Sequence, residues 1–215
     1  MVVRNIMTSN PFTITPNTTI AEALGIMREK GIRRLPVMKG DKLIGIITKR
    51  RLLEVSPSPA TTLSVFEMNY LLAKTVVKDI MTKDVLTVSP DALLEQAAVI
   101  MADSNIGGLP VIENGKLIGI ITEKDIFQSF VEILGFRDAG SRICVDYGDD
   151  RPGVLAAIST LMADMGINIS HIAIYKNEII FRVNTNNVEV LVQKLKEKGF
   201  NVTSIYAGSD SVNRL

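Results

Sequence analysis

The sequence predicts an α+β protein: two copies of one mixed unit packed about a pseudo-twofold axis, followed by a smaller domain of different pattern. Two observations predict it. Residues 6–52 align without a gap on residues 80–126, at an offset of about 74, with about 19 of 47 positions identical. After Phe136 the repeat stops, and the apolar periods read strand, helix, strand, strand, helix, strand.

Each copy opens on Ile-Met-Thr, at Ile6-Met7-Thr8 and Ile80-Met81-Thr82. Phe12 to Thr15 and Leu86 to Ser89 alternate apolar and hydroxyl residues, the pattern of a half-buried strand. Pro16-Asn17 and Pro90-Asp91 then mark a turn, whose Asn or Asp is expected to accept the first free amides of a helix. That helix carries Ile20, Ala23, Leu24 and Met27 on one face in the first copy, and Leu94, Ala97, Ala98 and Met101 in the second. Two short strands follow, Leu35-Pro36-Val37 then Lys42 to Thr48, and Leu109-Pro110-Val111 then Lys116 to Thr122. Gly40-Asp41 and Asn114-Gly115 between them are hairpin turns. A helix begun at Thr48 or Thr122 closes each copy. Met7, Met27, Met81 and Met101 hold equivalent positions and read as core filling. About 47 residues cannot bury a sheet face alone, so the copies are expected to pack on each other. The boundaries are 1–54 for the first repeat, 55–75 for a connecting segment with a short helix around Val65 to Leu72, and 76–135 for the second repeat.

Residues 141–207 form the last domain. Arg142 to Tyr147 alternates as a strand, and Gly148 to Gly153 turns into a helix over Val154 to Met165 that Gly166 terminates. Strands Asn168 to Tyr175 and Glu178 to Asn184 meet at a tight Lys176-Asn177 turn. A helix over Val188 to Lys198 and a strand over Asn201 to Tyr206 complete βαββαβ, the ferredoxin-like order.

Composition excludes several function classes. The 215 residues carry a net charge of +1 with acids and bases interleaved, so no basic stripe suits a nucleic-acid polymer. Aromatic residues are 5% and Trp is absent, which leaves little for base stacking. No apolar run approaches the roughly 18–20 residues of a membrane span, the first residues lack a secretory signal, and the single Cys144 fits a reducing cytoplasm. No His/Cys/Asp cluster has metal spacing, and no nucleophile elbow or phosphate-binding loop motif occurs. His171 and Cys144 sit in apolar strands and read as structural. No catalytic residue, metal site or required cofactor is assigned. The remaining expectation is a binding protein for small ligands or protein partners.

The order Ile-Met-Thr, Thr-x-x-Pro, helix, Leu-Pro-Val, Gly-Lys-Leu-Ile-Gly-Ile-Ile-Thr and Thr-x-x-Asp resembles the CBS domain, and the pair resembles a Bateman module over residues 1 to about 135. The resemblance implies tandem CBS repeats with an adenosine-containing regulatory ligand (AMP, ADP, ATP or S-adenosylmethionine) in a cleft between them. In the family pattern the Thr and Asp after the last strand hold the ribose, and basic residues before the Leu-Pro-Val strand of the other repeat meet the phosphate. Carried over, the ribose residues are Thr122 and Asp125 and the phosphate residues Arg33 and Arg34. The adenine is expected at the backbone of Asp84 and Val85, between Ile106 and Pro110. The first copy departs from the pattern, with Arg51 where Asp belongs, and the second has Gly107-Gly108 in place of the arginine pair. One cleft therefore collects Thr122, Asp125, Arg33 and Arg34; the other collects Thr48, Arg51, Gly107 and Gly108 and is expected to be empty or altered. The chemistry agrees, since a carboxylate accepts two hydroxyls and a guanidinium forks onto phosphate, whereas Arg51 has no acceptor. The same Thr122-x-x-Asp125 is equally a helix capping box that needs no ligand.

Asp150-Arg151-Pro152-Gly153-Val154-Leu155, followed by Gly166-Ile167-Asn168-Ile169, resembles the ACT domain over about residues 141–207. That resemblance implies pairing of two copies into a homodimer, and an amino-acid site at Asp149, Asp150, Gly153 and Asn168. A helix cap by Asp150, with Pro152 in the first turn, explains the same residues without a ligand. The whole-chain order is similar to the bacterial acetoin-utilisation regulators, which implies a sensor acting on a metabolic enzyme; a dimerisation scaffold or enzyme subunit with vestigial clefts is the alternative.

Overall fold

A computed structural model describes residues 1–56, 64, 67, 74–148 and 151–207. The expected short helix around Val65 to Leu72 lies outside the described residues. The chain divides into two compact units, Met1–Ile126 and Phe127–Leu215.

In the first unit each repeat supplies one helix, one hairpin and one closing helix. The first has α1 (Ile20–Glu29), β2 (Arg34–Lys39), β3 (Lys42–Thr48) and α2 (Lys49–Val55). The second has α3 (Leu94–Asp103), β4 (Gly108–Glu113), β5 (Lys116–Thr122) and α4 (Glu123–Ile133), the last running past the unit boundary. The two hairpins share one register: Val37 faces Gly45 and Val111 faces Gly119, with the same irregularity one residue later. In the second turn Asn114 (φ 49°) and Gly115 (φ 77°) both take left-handed backbone, as a tight hairpin of the right twist requires.

The repeats are not self-contained. The two-residue strand β1 (Thr8–Ser9) pairs with β5 of the other repeat, Thr8 opposite Ile120. Reciprocally, Thr82 bridges to Ile46 of β3. The leading segments also close the opposite helix entries: Val3 N–H donates to the Ala92 carbonyl at 2.9 Å, and Val77 N–H to the Thr18 carbonyl at 2.8 Å. Val3 is fully buried in the core around Leu94, Leu109 and Ile121, with Met7 packed on it. Val77 is fully buried in the core around Ile20, Leu35 and Ile47, with Met81 packed on it. Each lead-in thus completes its twin's core, which accounts for the pseudo-twofold packing and for the repeat of Met7 at Met81.

Two local expectations are corrected. Phe12–Thr15 and Leu86–Ser89 are extended but not strands: each makes one parallel bridge, Ile14 to Val37 and Val88 to Val111. The bridge stays single because Pro36 and Pro110 have no N–H to extend a ladder. Asn17 and Asp91 do not cap the helices. Thr19 caps α1 in a reciprocal box with Glu22, and Gln96 accepts from the Leu93 N–H at the start of α3. Asp91 instead takes Arg4 at 3.0 Å.

The second unit orders β6 (Ser141–Asp146), α5 (Val154–Asp164), β7 (Ile169–Tyr175), β8 (Glu178–Val183), α6 (Glu189–Glu197) and β9 (Asn201–Ala207). The strands form one antiparallel sheet in the order β7-β8-β6-β9, the ferredoxin-like arrangement. Ile143, Val145, Phe181 and Val183 on one face pack against Ile158, Met162, Leu191 and Leu195 of the two helices. Gly166 (φ 69°) ends α5, and Lys176 (φ 52°) turns β7 into β8.

Candidate functional site

Strand pairing places the candidate residues. In the second repeat Gly108 faces Thr122 across the hairpin, and in the first Arg34 faces Thr48. Both Thr residues therefore stand where the last strand turns into a helix, beside the residue that opens the neighbouring strand.

Asp125 lies one turn into α4. Its Oδ2 accepts from the Thr122 N–H at 2.8 Å and from the Thr122 hydroxyl at 2.7 Å, so the pair is part-buried and held together. This is the carboxylate half of a capping box. At the matching position Arg51 N–H donates to Thr48 Oγ1 at 3.2 Å, while its side chain turns away, Nε donating to the Ile80 carbonyl at 3.4 Å. Arg51 also stands 3.7 Å from Glu54. The two helix starts differ accordingly: one presents a carboxylate, the other a guanidinium that is already engaged.

Arg34 links the repeats at this corner. Its side chain lies over the glycine pair of the second repeat, where a Cβ on Gly107 would collide with a guanidinium nitrogen and one on Gly108 would come within 3.2 Å of Cδ and Nε. The Glu123 carboxylate reaches the same space, 2.6 Å from that Gly107 position. Burial pushes the Arg34 pKa down, Glu123 pulls it up, Arg33 pushes it down and Asp125 pulls it up. The guanidinium remains charged throughout the ordinary pH range. Arg34 and Asp125 therefore act on each other across the repeats.

Arg33, Arg34, Thr48, Lys49 and Leu53 line a cavity of about 650 Å³ at the start of α2. Both arginines thus neighbour Thr48, and Arg34 also reaches the glycine corner, so it belongs to both groups that the sequence reading separates. Thr122, Asp125, Asp84, Val85, Ile106 and Pro110 lie outside this lining. Asp84 is exposed; Val85 N–H donates to the Lys83 carbonyl; Ile106 packs on the second core; Pro110 is buried and its carbonyl accepts from Val88 N–H. Glu123 is the member that the sequence reading missed. Its signal was the charge reversal from Lys49 at the equivalent repeat position.

In the second unit Gly153 (φ 94°) precedes α5. Asn168 is exposed, with its N–H donated to Asn184 Oδ1 at 3.1 Å and its carbonyl accepting from Asn184 N–H at 3.2 Å. Asp149 and Asp150 lie outside the described residues. Among the described residues no group of three or more acidic, His or Cys side chains could hold a metal ion, and no helix is long and apolar enough to cross a membrane.

Residues 3–58 and 77–132 match the CBS domain, and residues 143–197 match the ACT domain. Curated relatives include an inosine-5′-monophosphate dehydrogenase of Korarchaeum cryptofilum, 36% identical over 167 residues, covering 77% of this chain. The chain spans only 32% of that dehydrogenase. A CBS domain-containing protein of Dictyostelium discoideum is 33% identical over 136 residues, 62% of this chain and 94% of its own length. Among solved structures, the CBSX2 protein in complex with AMP superposes with a TM-score of 0.51 at 31% identity, covering 61% of this chain and 97% of that one. The CBS pair of protein MJ0100, in complex with 5′-methylthioadenosine and S-adenosyl-L-methionine, gives 0.51 at 29% identity, with 61% and 97% covered. A Vibrio cholerae protein assigned to acetoin utilization (AcuB) gives 0.53 at 29% identity, with 64% and 96% covered.

Proposed function

Since the chain belongs to the CBS domain family, in two copies followed by an ACT domain, we propose that it is a non-catalytic regulatory sensor of adenine nucleotides. The nucleotide occupies the cleft between the repeats. Thr122 and Asp125 take the ribose, Arg33 and Arg34 the phosphate, and the Asp84–Val85 backbone with Ile106 and Pro110 the adenine. The observation that supports this best is the crossing of Arg34 from one repeat to the corner of the other that holds Asp125 and Glu123. In this reading the carboxylate serves hydroxyls and the guanidinium phosphate, and the glycine pair leaves room for the Arg34 side chain to approach from the other repeat. The AMP complex of a relative over the same region adds to it.

Regulation follows if the ligand favours one arrangement of repeats or protomers over another, because equal affinity for two states shifts nothing. In this reading the ACT domain pairs two chains into a cytoplasmic homodimer and takes an amino acid at Asp149, Asp150, Gly153 and Asn168. The regulated partner is a metabolic enzyme, and the likeness to the Vibrio protein supports acetoin breakdown as its setting. One observation favours a ligand-free scaffold instead: the Asp125 carboxylate already caps α4 through Thr122.

Calorimetric titration with AMP, ADP, ATP and S-adenosylmethionine separates the two. A micromolar dissociation constant, about −8 kcal/mol, is expected for one of them. Loss of Arg34 or Asp125 weakens it by about 1.5–3 kcal/mol, the value of a charge-assisted hydrogen bond. No binding at millimolar nucleotide establishes the scaffold.

A further inference from the structure

The face of the second-unit sheet turned away from the two helices carries three basic side chains in one row. Arg142 of β6 and Arg182 of β8 are directly paired, and Arg182 is paired in turn with His171 of β7. Like charges opposite one another across a sheet destabilise it. Arg182 is 4% exposed, and among the described residues no carboxylate lies within ion-pair distance of it. One of its nitrogens donates to the Asp138 carbonyl, while its Nε is buried without a partner. His171 Nδ1 is likewise buried without a hydrogen bond, 3.4 Å from the Asp138 carboxylate.

These side chains line a cavity of about 240 Å³, roofed by Leu134 and Phe136 and floored by Ala173 and Ile180. The roof segment is held close over the sheet: Gly135 takes left-handed backbone (φ 59°), and a Cβ there would collide with the His171 ring. A permanently charged guanidinium taken out of water is costly unless an opposite charge meets it. The walls provide apolar surface, and the row provides forked and single N–H donors at one end.

We propose that this cavity is a binding site for a small aliphatic monocarboxylate, whose carboxylate meets Arg182 and His171 and whose short carbon chain lies against Ala173, Ile180 and Phe136. It shares no residue with the proposed nucleotide site or with the loop around Gly153, and it depends on neither reading.

His171 is the only histidine of the chain, so its imidazole carbon–proton signals report on the site alone. The full chain is titrated with isobutyrate, with isobutyramide as the uncharged isostere and inorganic phosphate as the competing anion. Isobutyrate shifts the His171 signals saturably and raises the melting temperature; isobutyramide and phosphate do neither below about tenfold higher concentration. Arg182→Met weakens the isobutyrate response at least tenfold. Ala173→Val, which fills the cavity without removing charge, does the same and guards against misfolding of the arginine variant. Equal responses to acid and amide, a response to phosphate alone, no saturable shift, or full binding by Ala173→Val would each overturn the assignment.

Discussion

Arg34 lies in the space that a side chain at Gly107 would need, although the two residues belong to different repeats. A glycine here is a requirement of the twin rather than of its own backbone. Gly107 is not in a left-handed conformation, so any residue could adopt its dihedral angles.

Gly107→Ala should therefore act on ligand and not on fold. The colliding atom is the far end of a flexible side chain, which moves aside at small cost. The melting temperature should change by less than about 2–3 °C, while nucleotide affinity falls about tenfold as Arg34 is displaced. Calorimetry and thermal melts on one sample check both. Arg51→Ala, at the engaged guanidinium of the other helix start, should leave affinity unchanged.

Asp125 has a capping role and a proposed ligand role, and two substitutions divide them. Asp125→Ala loses the acceptor for Thr122 and should cost about 1 kcal/mol in urea unfolding. Asp125→Asn keeps an oxygen acceptor and should cost less than half of that. Both should weaken nucleotide binding about tenfold or more. If Asn binds as tightly as Asp, the carboxylate serves only the helix.

The crossed lead-in segments predict paired mutational costs. Val3→Ala and Val77→Ala each empty a fully buried site in the opposite repeat and should each destabilise by about 1.5–3 kcal/mol. Gly45→Ala and Gly119→Ala should also match one another. A Cβ at either would come 2.5 Å from a methionine sulfur, Met81 or Met7, and within 3.0–3.1 Å of the carbonyl of Thr82 or Thr8. Chemical unfolding of the four variants tests the pairing, and unequal costs within a pair would contradict it.

Acid sensitivity has a named contributor in Glu22. The Thr19 backbone N–H at 2.8 Å, then the Thr19 hydroxyl at 2.9 Å, hold its carboxyl below the ordinary range, against a smaller opposing effect of burial. Its folded pKa is depressed, so its contribution is complete above the unfolded value of about 4.3 and is lost as pH falls through the folded one. Melting temperatures between about pH 5 and pH 3 should fall more steeply for the native chain than for Glu22→Gln, whose amide oxygen still caps α1.

The repeat was legible in the sequence because Lys42–Thr48 and Lys116–Thr122 are identical and their hairpin turns carry glycine. The second unit was legible because Gly166 and the Lys176-Asn177 turn punctuate clear apolar periods. What escaped is non-local. A two-residue strand such as Thr8–Ser9 has no period to detect, and its partner lies more than a hundred residues away. The α1 cap is Thr19 with Glu22 rather than Asn17, because the proline turn ends two residues before the cap position and leaves Asn17 out of reach of the first helical amides. The basic row of Arg142, Arg182 and His171 depends on strand register, which no single strand reveals.

The crossing of Val3 and Val77 into each other's halves also bears on ancestry. A lone copy of this repeat would leave its own core unfinished and offer its arm to a second molecule, so it would exist as a symmetric pair. In such a pair every substitution appears on both sides at once. Joining the copies in one gene removes that constraint: one half could become arginine where the other became glycine, and the two crevices were free to diverge.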